Sequence, residues 1–290
     1  MIRRVEFELD DEKVCGNLHL PKTGGPVRAV VTGGPMTSVK EQVTGTYAAA
    51  LAERGIAALA IDHRHYGESG GTPRQYEYYP HKIEDLKAAI ETLAAQPEVD
   101  ETRIGAVGVC LGSGYLAHAV RDVPSVKAFA AIAGYYRDVP AMRAADPDGF
   151  DKKVAEGVSA REHYEETGEV ELIPAVALDR DAAMTLQSTY DYYAHRAVHP
   201  NYVNEFAVMS REHFLQFDVQ SAAPELSVPF LMIHGPNALN PAWAERFFDA
   251  VPGTKERRAI ESKGQTDIYD DPQIVSVAAD HAADFLNRHL

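Results

Sequence analysis

Residues 108–114, Gly108-Val109-Cys110-Leu111-Gly112-Ser113-Gly114, restrict the folds open to this chain more than any other stretch. Glycines two places before and two places after the central Cys suit a tight strand-to-helix turn, because a Cβ at either place would collide with neighbouring backbone. The flanks agree: Arg103 to Val107 reads as a buried strand and Gly114 to Val120 as the start of a helix. The turn therefore reads as a nucleophile elbow, with Cys110 facing a cleft. The positive end of the helix is expected to favour its thiolate over the thiol. The structural alternative is a small Cys packed inertly in a Gly-rich turn.

Strands and helices alternate around this turn. Arg28 to Thr32 and Ala57 to Ile61 read as strands, with a helix from Thr44 to Arg54 between them and Gly55 as its stop. Ser38 and Glu41 have capping-box spacing ahead of that helix. Ile83, Leu86, Ile90 and Leu93 form one apolar helical stripe, and Val126 to Ile132 is the strand after the elbow helix. Alternation resumes at Val228 to Ile233, then a helix opened by Asn240-Pro241, a strand near Glu256 to Ile260, and a last helix from Asp271-Pro272. This order predicts an α/β chain with a mostly parallel, doubly wound sheet. Residues 1–138 and 223–290 are expected to form its core, and the charged, Tyr- and His-rich tract 139–222 an inserted lid.

Charge narrows the partners. Across 290 residues there are 28 Lys and Arg against 43 Asp and Glu, a net charge of −15, which argues against binding nucleic acid or an anionic membrane. The acidic run Glu162, Glu165, Glu166, Glu169 and Glu171 reads as a solvated face. Only Cys15 and Cys110 are present, so no disulfide framework is indicated and a reducing compartment suits a working thiol. The N-terminal residues alternate like a strand and lack an apolar export segment, so a cytoplasmic location is expected. His-Glu-x-x-His, Cys-x-x-Cys and Walker motifs are all missing, and no metal site is expected. The expected partner is a small molecule, with a homodimer left open.

Three segments carry a family resemblance: Gly34 to Gln42, Asp62-His63-Arg64-His65-Tyr66-Gly67-Glu68-Ser69-Gly70-Gly71, and Pro97-Glu98-Val99-Asp100 leading into the elbow. With these, and with Asp267-Ile268-Tyr269-Asp270 near the end, the chain resembles α/β-hydrolases of the subgroup of fungal polyketide transferases and dienelactone-hydrolase-related proteins. The resemblance implies the α/β-hydrolase fold with a lid, acyl chemistry on esters, lactones or thioesters, and no dissociable cofactor. It also implies an oxyanion hole made by the Leu111 N–H and an N–H from Met36 or Thr37.

The base departs from the family pattern. Members place His two residues before the Asp-x-Tyr-Asp segment, where this chain has Gln265, and Asn237 stands where many have the acid. Gln cannot accept and return a proton. His63 and His65 follow a strand at the carboxyl edge of the sheet and are the substitutes to consider, with His199 and His213 in the lid. Tyr115, Tyr135 and His199 are the side chains expected to touch a substrate. Two readings follow: a Cys-dependent enzyme acting on an ester, lactone or thioester, or a non-hydrolytic protein of the same fold. The second would cyclise, eliminate, isomerise or only bind a metabolite.

Overall fold

Short runs of β-branched residues and Ala, buried on both faces, make the strands at the centre of the sheet. The computed structural model describes residues 1–22 and 24–290. It opens with the antiparallel pair β1 (Ile2–Leu9) and β2 (Glu12–His19), followed by β3 (Val27–Gly33), α1 (Val43–Glu53) and β4 (Ala57–Ile61). Then come α2 (Tyr79–Ala94), β5 (Val99–Val109), α3 (Gly112–Val120) and β6 (Val126–Ile132).

The segment that follows is mainly helical. It contains α4 (Val139–Ala145), α5 (Pro147–Thr167), β7 (Leu172–Ile173), α6 (Gln187–Asp191), a π-helical turn over Tyr192–Arg196, β8 (Phe206–Ala207) and α7 (Ser210–Phe214). The main sheet resumes with β9 (Phe230–His234), α8 (Pro241–Ala250), β10 (Lys255–Ala259), α9 (Asp267–Asp270) and α10 (Pro272–His289).

The eight main strands run in the order β1-β2-β4-β3-β5-β6-β9-β10, parallel from β4 onward. The predicted α/β architecture is therefore present, and the parallel strands bring the carboxyl ends of β3, β5, β6 and β9 to one edge.

The helix starts are partly as expected. Pro241 and Pro272 occupy first-turn positions, and the Asp271 side chain accepts from the N–H groups of Gln273 and Ile274. The capping box at Ser38 and Glu41 does not form. Ser38 Oγ donates to the Pro35 carbonyl at 2.9 Å, Glu41 pairs with Lys40 at 2.7 Å, and α1 starts only after Gln42. The loop between β3 and α1 is instead closed from below by the buried Lys40 ammonium, 2.7 Å from Asp62 and 2.6 Å from Glu68.

The elbow is set by contact of backbone with backbone. A Cβ on Gly112 would lie 2.3 Å from the Gly33 carbonyl carbon, and one on Gly108 would lie 2.5 Å from the Ser113 Cα. Neither obstacle is the movable end of a side chain. Gly112→Ala is therefore expected to destabilise the fold by roughly 1–3 kcal/mol, the usual range for overpacking. Gly264→Ala, where a Cβ meets nothing within 4 Å, should change stability by no more than about 0.5 kcal/mol. Urea unfolding of the two variants measures the difference, and equal midpoints would refute the packing argument.

Candidate active site

Cys110 sits at the end of β5 with φ of +54°, a left-handed conformation that a non-Gly residue holds only when its surroundings enforce it. Its N–H donates to the Ile132 carbonyl at 3.2 Å, and its carbonyl accepts from Ser113 and Tyr135 N–H groups at 3.1 and 3.0 Å. The sulfur faces a cavity of about 280 Å³ whose lining includes Met36, Leu111, Tyr135, Arg137, Tyr193, Gln265 and Tyr269. Met142, Met184, Leu186 and Phe214, all from the segment between β6 and β9, close the opposite wall.

Gln265 is brought to Cys110, and its amide is oriented by three bonds. The Oε1 accepts from Leu239 N–H at 2.9 Å; the Nε2 donates to the Ala133 carbonyl at 2.7 Å and to the Tyr269 hydroxyl oxygen at 3.1 Å. The amide thus turns its donor side inward. Asn237 is not part of this arrangement. It is exposed and donates to the Ser262 carbonyl at 2.8 Å, and this loop reaches Gln265 through the Leu239 N–H.

The expected activation of the thiol is reversed. Burial pushes the Cys110 thiol up, and the Tyr269 hydroxyl, the Leu111 N–H and the Gln265 amide only partly oppose it. A short helix start does not outweigh the loss of water around an anion. None of the three opposing groups is a base, and among the described residues no imidazole lines the cavity.

The histidines proposed as substitutes are engaged elsewhere. His63 is buried with Nδ1 3.1 Å from Asp85, and burial pushes its pKa down. His65 lies between the Pro73 carbonyl and His81, each at 2.9 Å, and burial with the neighbouring imidazole lowers its pKa to about 4. His199 is half exposed beside Glu41 at 3.8 Å, and His213 packs edge-on against Tyr78. Neither lines the cavity.

Two further expectations change. The Thr37 N–H is taken by the Glu77 carboxylate at 2.9 Å, which leaves Met36 as the loop residue bordering the cavity. Tyr115 points behind the elbow, its hydroxyl donating to Glu77 at 2.6 Å, so only Tyr135 of the proposed substrate contacts reaches the cavity. Tyr269, beside the sulfur, and Arg137 are cavity residues to which the sequence pattern gives no site role. The first had a signal in Asp-x-Tyr-Asp; the second had none beyond a lone Arg after Tyr135-Tyr136.

Comparison with known proteins agrees with this fold. The model of the "Esterase FrsA-like" family matches residues 1–143. The uncharacterized protein PA2218 of Pseudomonas aeruginosa is 30% identical over 295 residues, spanning 96% of this chain and 77% of the relative. Its crystal structure aligns over 100% of this chain and 94% of its own with a TM-score of 0.86 at 28% identity.

The chain belongs to one family with PA2218, and its fold is that of the α/β-hydrolases.

The fold is shared as fully with the α/β-hydrolase GrgF from Penicillium, at a TM-score of 0.85, 22% identity and coverage of 100% and 99% of the two chains. A local match joins this α/β-hydrolase to the thiohydrolase aneE of Aspergillus aculeatus, 41% identical over 107 residues, 36% of this chain and 33% of that protein.

The thiol environment has a measurable signature. Iodoacetamide should label Cys110, which opens on the cavity, ahead of Cys15, whose sulfur is enclosed against the Arg4 guanidinium at 3.4 Å and the Glu68 carbonyl at 3.3 Å. Because the pKa of Cys110 is raised, its labelling rate should climb about tenfold per pH unit to beyond the ordinary thiol value of about 8.5, with no step near pH 6–7. A plateau already reached at neutral pH would show a low-pKa thiolate and refute this account.

Proposed function

We propose that this α/β-hydrolase transfers acyl groups from esters or thioesters through a thioester on Cys110. The observation that carries this reading is the left-handed Cys110, held at the elbow with its sulfur near the Leu111 N–H, Gln265 and Tyr269 in the cavity. The thiol first loses its proton to solvent. The sulfur then bonds to the substrate carbonyl carbon, and the oxyanion formed is held by the N–H groups of Leu111 and Met36. The carbon–oxygen or carbon–sulfur bond of the leaving group breaks as the carbonyl re-forms, and the leaving alkoxide or thiolate takes a proton from water. Attack by water or another acceptor on the thioester frees the acid or acyl product and returns the thiol.

Gln265 supplies donors in this scheme and no base. Its two Nε2 hydrogens are held by Ala133 and Tyr269, so it orients the Tyr269 hydroxyl beside the sulfur, and the second step lacks a group to deprotonate water. The acyl-enzyme is therefore the species that accumulates. The segment 139–222 serves as the lid that excludes solvent, and a reducing, cytoplasmic setting suits the free thiol. Local similarity to a protein named a thiohydrolase supports thioesters as one substrate class. Tyr193, whose hydroxyl donates to the Met36 carbonyl at 3.4 Å, steadies the loop that offers the second oxyanion donor.

Incubation with p-nitrophenyl acetate should give a p-nitrophenol burst and an acetyl adduct on the Cys110 peptide by mass spectrometry, both lost in Cys110→Ala. Gln265→His should shorten the life of that adduct and raise steady-state turnover, since a placed general base contributes roughly 10²- to 10⁴-fold. No adduct on Cys110 in folded wild-type protein would sink covalent chemistry and leave cyclisation, isomerisation or ligand binding on preorganised dipoles.

A further inference from the structure

Arg137 is anchored beside the elbow by its own backbone: two residues before it, Tyr135 N–H donates to the Cys110 carbonyl at 3.0 Å, and the Arg137 carbonyl accepts from Val219 and Gln220 N–H groups at 3.0 and 3.3 Å. The residue is 2% exposed and lines the cavity that holds Cys110. Nη2 donates to the Leu215 carbonyl at 3.1 Å, and the guanidinium carbon stands 4.3 Å from the centre of the Phe214 ring. The Nε is enclosed without a partner. Among the described residues no carboxylate forms an ion pair with Arg137. The two acids whose charge reaches it are engaged elsewhere: Glu77 with Lys82 at 2.7 Å, and Asp218 with the N–H groups of Val139 and Ser221, each at 3.0 Å.

A guanidinium withdrawn from water without a counter-ion is strongly unfavourable, and Arg does not escape by releasing its proton. An aliphatic side chain would fill the same wall and stack on Phe214 without that cost. A planar fork whose Nε has no acceptor is the geometry that receives a carboxylate.

We propose that Arg137 binds a free carboxylate on the acyl part of the substrate. The substrate is then an ester or thioester of a short dicarboxylic acid, attacked by Cys110 at one end and held by Arg137 at the other. The size of the cavity, about 280 Å³, suits a compact acyl unit of this kind and not a long chain. Arg137 makes and breaks no bond in the reaction. This inference rests on the cavity being the acyl site, so its test reads binding separately from chemistry.

Glutarate and its neutral diamide, glutaramide, are titrated calorimetrically into Cys110→Ala, which needs no working nucleophile. Glutarate should bind at least about tenfold more tightly, the order expected of a charge-assisted pair. Adding Arg137→Met to that protein should remove the preference, and Arg137→Lys should keep part of it. In parallel, the ratio of kcat/KM for mono-p-nitrophenyl glutarate to that for p-nitrophenyl butyrate should fall at least about tenfold in Arg137→Met. If the Met variant does not fold, the glutarate and glutaramide comparison on Cys110→Ala decides alone. Equal binding of the two, or an unchanged ratio in a folded Arg137→Met, overturns the proposal. Glutarate binding through Arg137 without any acyl adduct on Cys110 in the wild type would instead overturn the covalent reading and leave the carboxylate site at Arg137 standing.

Discussion

The approach of the first turn of α3 to the end of β3 is the contact on which the site depends. Gly112 rests against the Gly33 backbone so closely that no side chain fits between them. That contact lets β5 end in a left-handed residue and α3 begin at once, which leaves Cys110 on the carboxyl edge of the sheet with Leu111 N–H beside it. A looser turn would sink the sulfur into the core or swing it into solvent. Every other group at the site is placed relative to this point: Tyr135 through the Cys110 carbonyl, and Gln265 through the Ala133 carbonyl at the end of the adjacent β6.

Behind the elbow, one buried carboxylate ties the remaining pieces together. Glu77 accepts from Thr37 N–H, Tyr66 and Tyr115 and pairs with Lys82, so a single group joins the loop after β3, the loop after β4, α2 and α3. Burial works against its charge, yet the Lys82 ammonium and these donors hold its carboxyl below the usual range. By occupying the Thr37 N–H, with Thr37 itself at φ of +61°, it fixes the loop so that Met36 is the residue presented to the cavity. The polar cluster is costly to bury and specifies one arrangement of the loop, the role for which such clusters are best suited.

What the sequence revealed follows the range of the interactions. Elbow glycines, prolines in first helical turns and the apolar strands act within a few residues of themselves, and the α/β architecture was legible from them. Gln265 was legible as well, because Asp-x-Tyr-Asp fixes its register in the loop after β10. The expectations that changed each depended on a distant partner. Thr37 is taken by a carboxylate from another loop, Tyr115 is turned toward the same Glu77, and Asn237 is drawn to Ser262. The thiol was misjudged for a related reason: the pattern of a helix N-terminus is local, while the burial that outweighs it comes from helices and loops far along the chain.

The treatment of buried cations elsewhere in the molecule gives Arg137 its meaning. Lys40 is met by Asp62, Glu41 and Glu68, Arg64 by Asp85, Glu84 and Asp10, Lys82 by Glu77, and Arg211 by Glu156 and Asp181. In an acidic chain, carboxylates are the cheapest way to neutralise a cation withdrawn from water, and four buried sites use them. Arg137 alone in this group faces the Cys110 cavity and is stacked on an aromatic ring with one enclosed nitrogen unbonded. A protein acid beside it would satisfy the guanidinium permanently and block the cavity. In the proposed reaction a bound carboxylate relieves the cost of leaving that charge open, so interaction energy far from the reacting carbon helps to hold that carbon against the sulfur. Such a term matters most in a site where Gln stands in place of a base, because positioning and oriented donors are then what remains to lower the barrier.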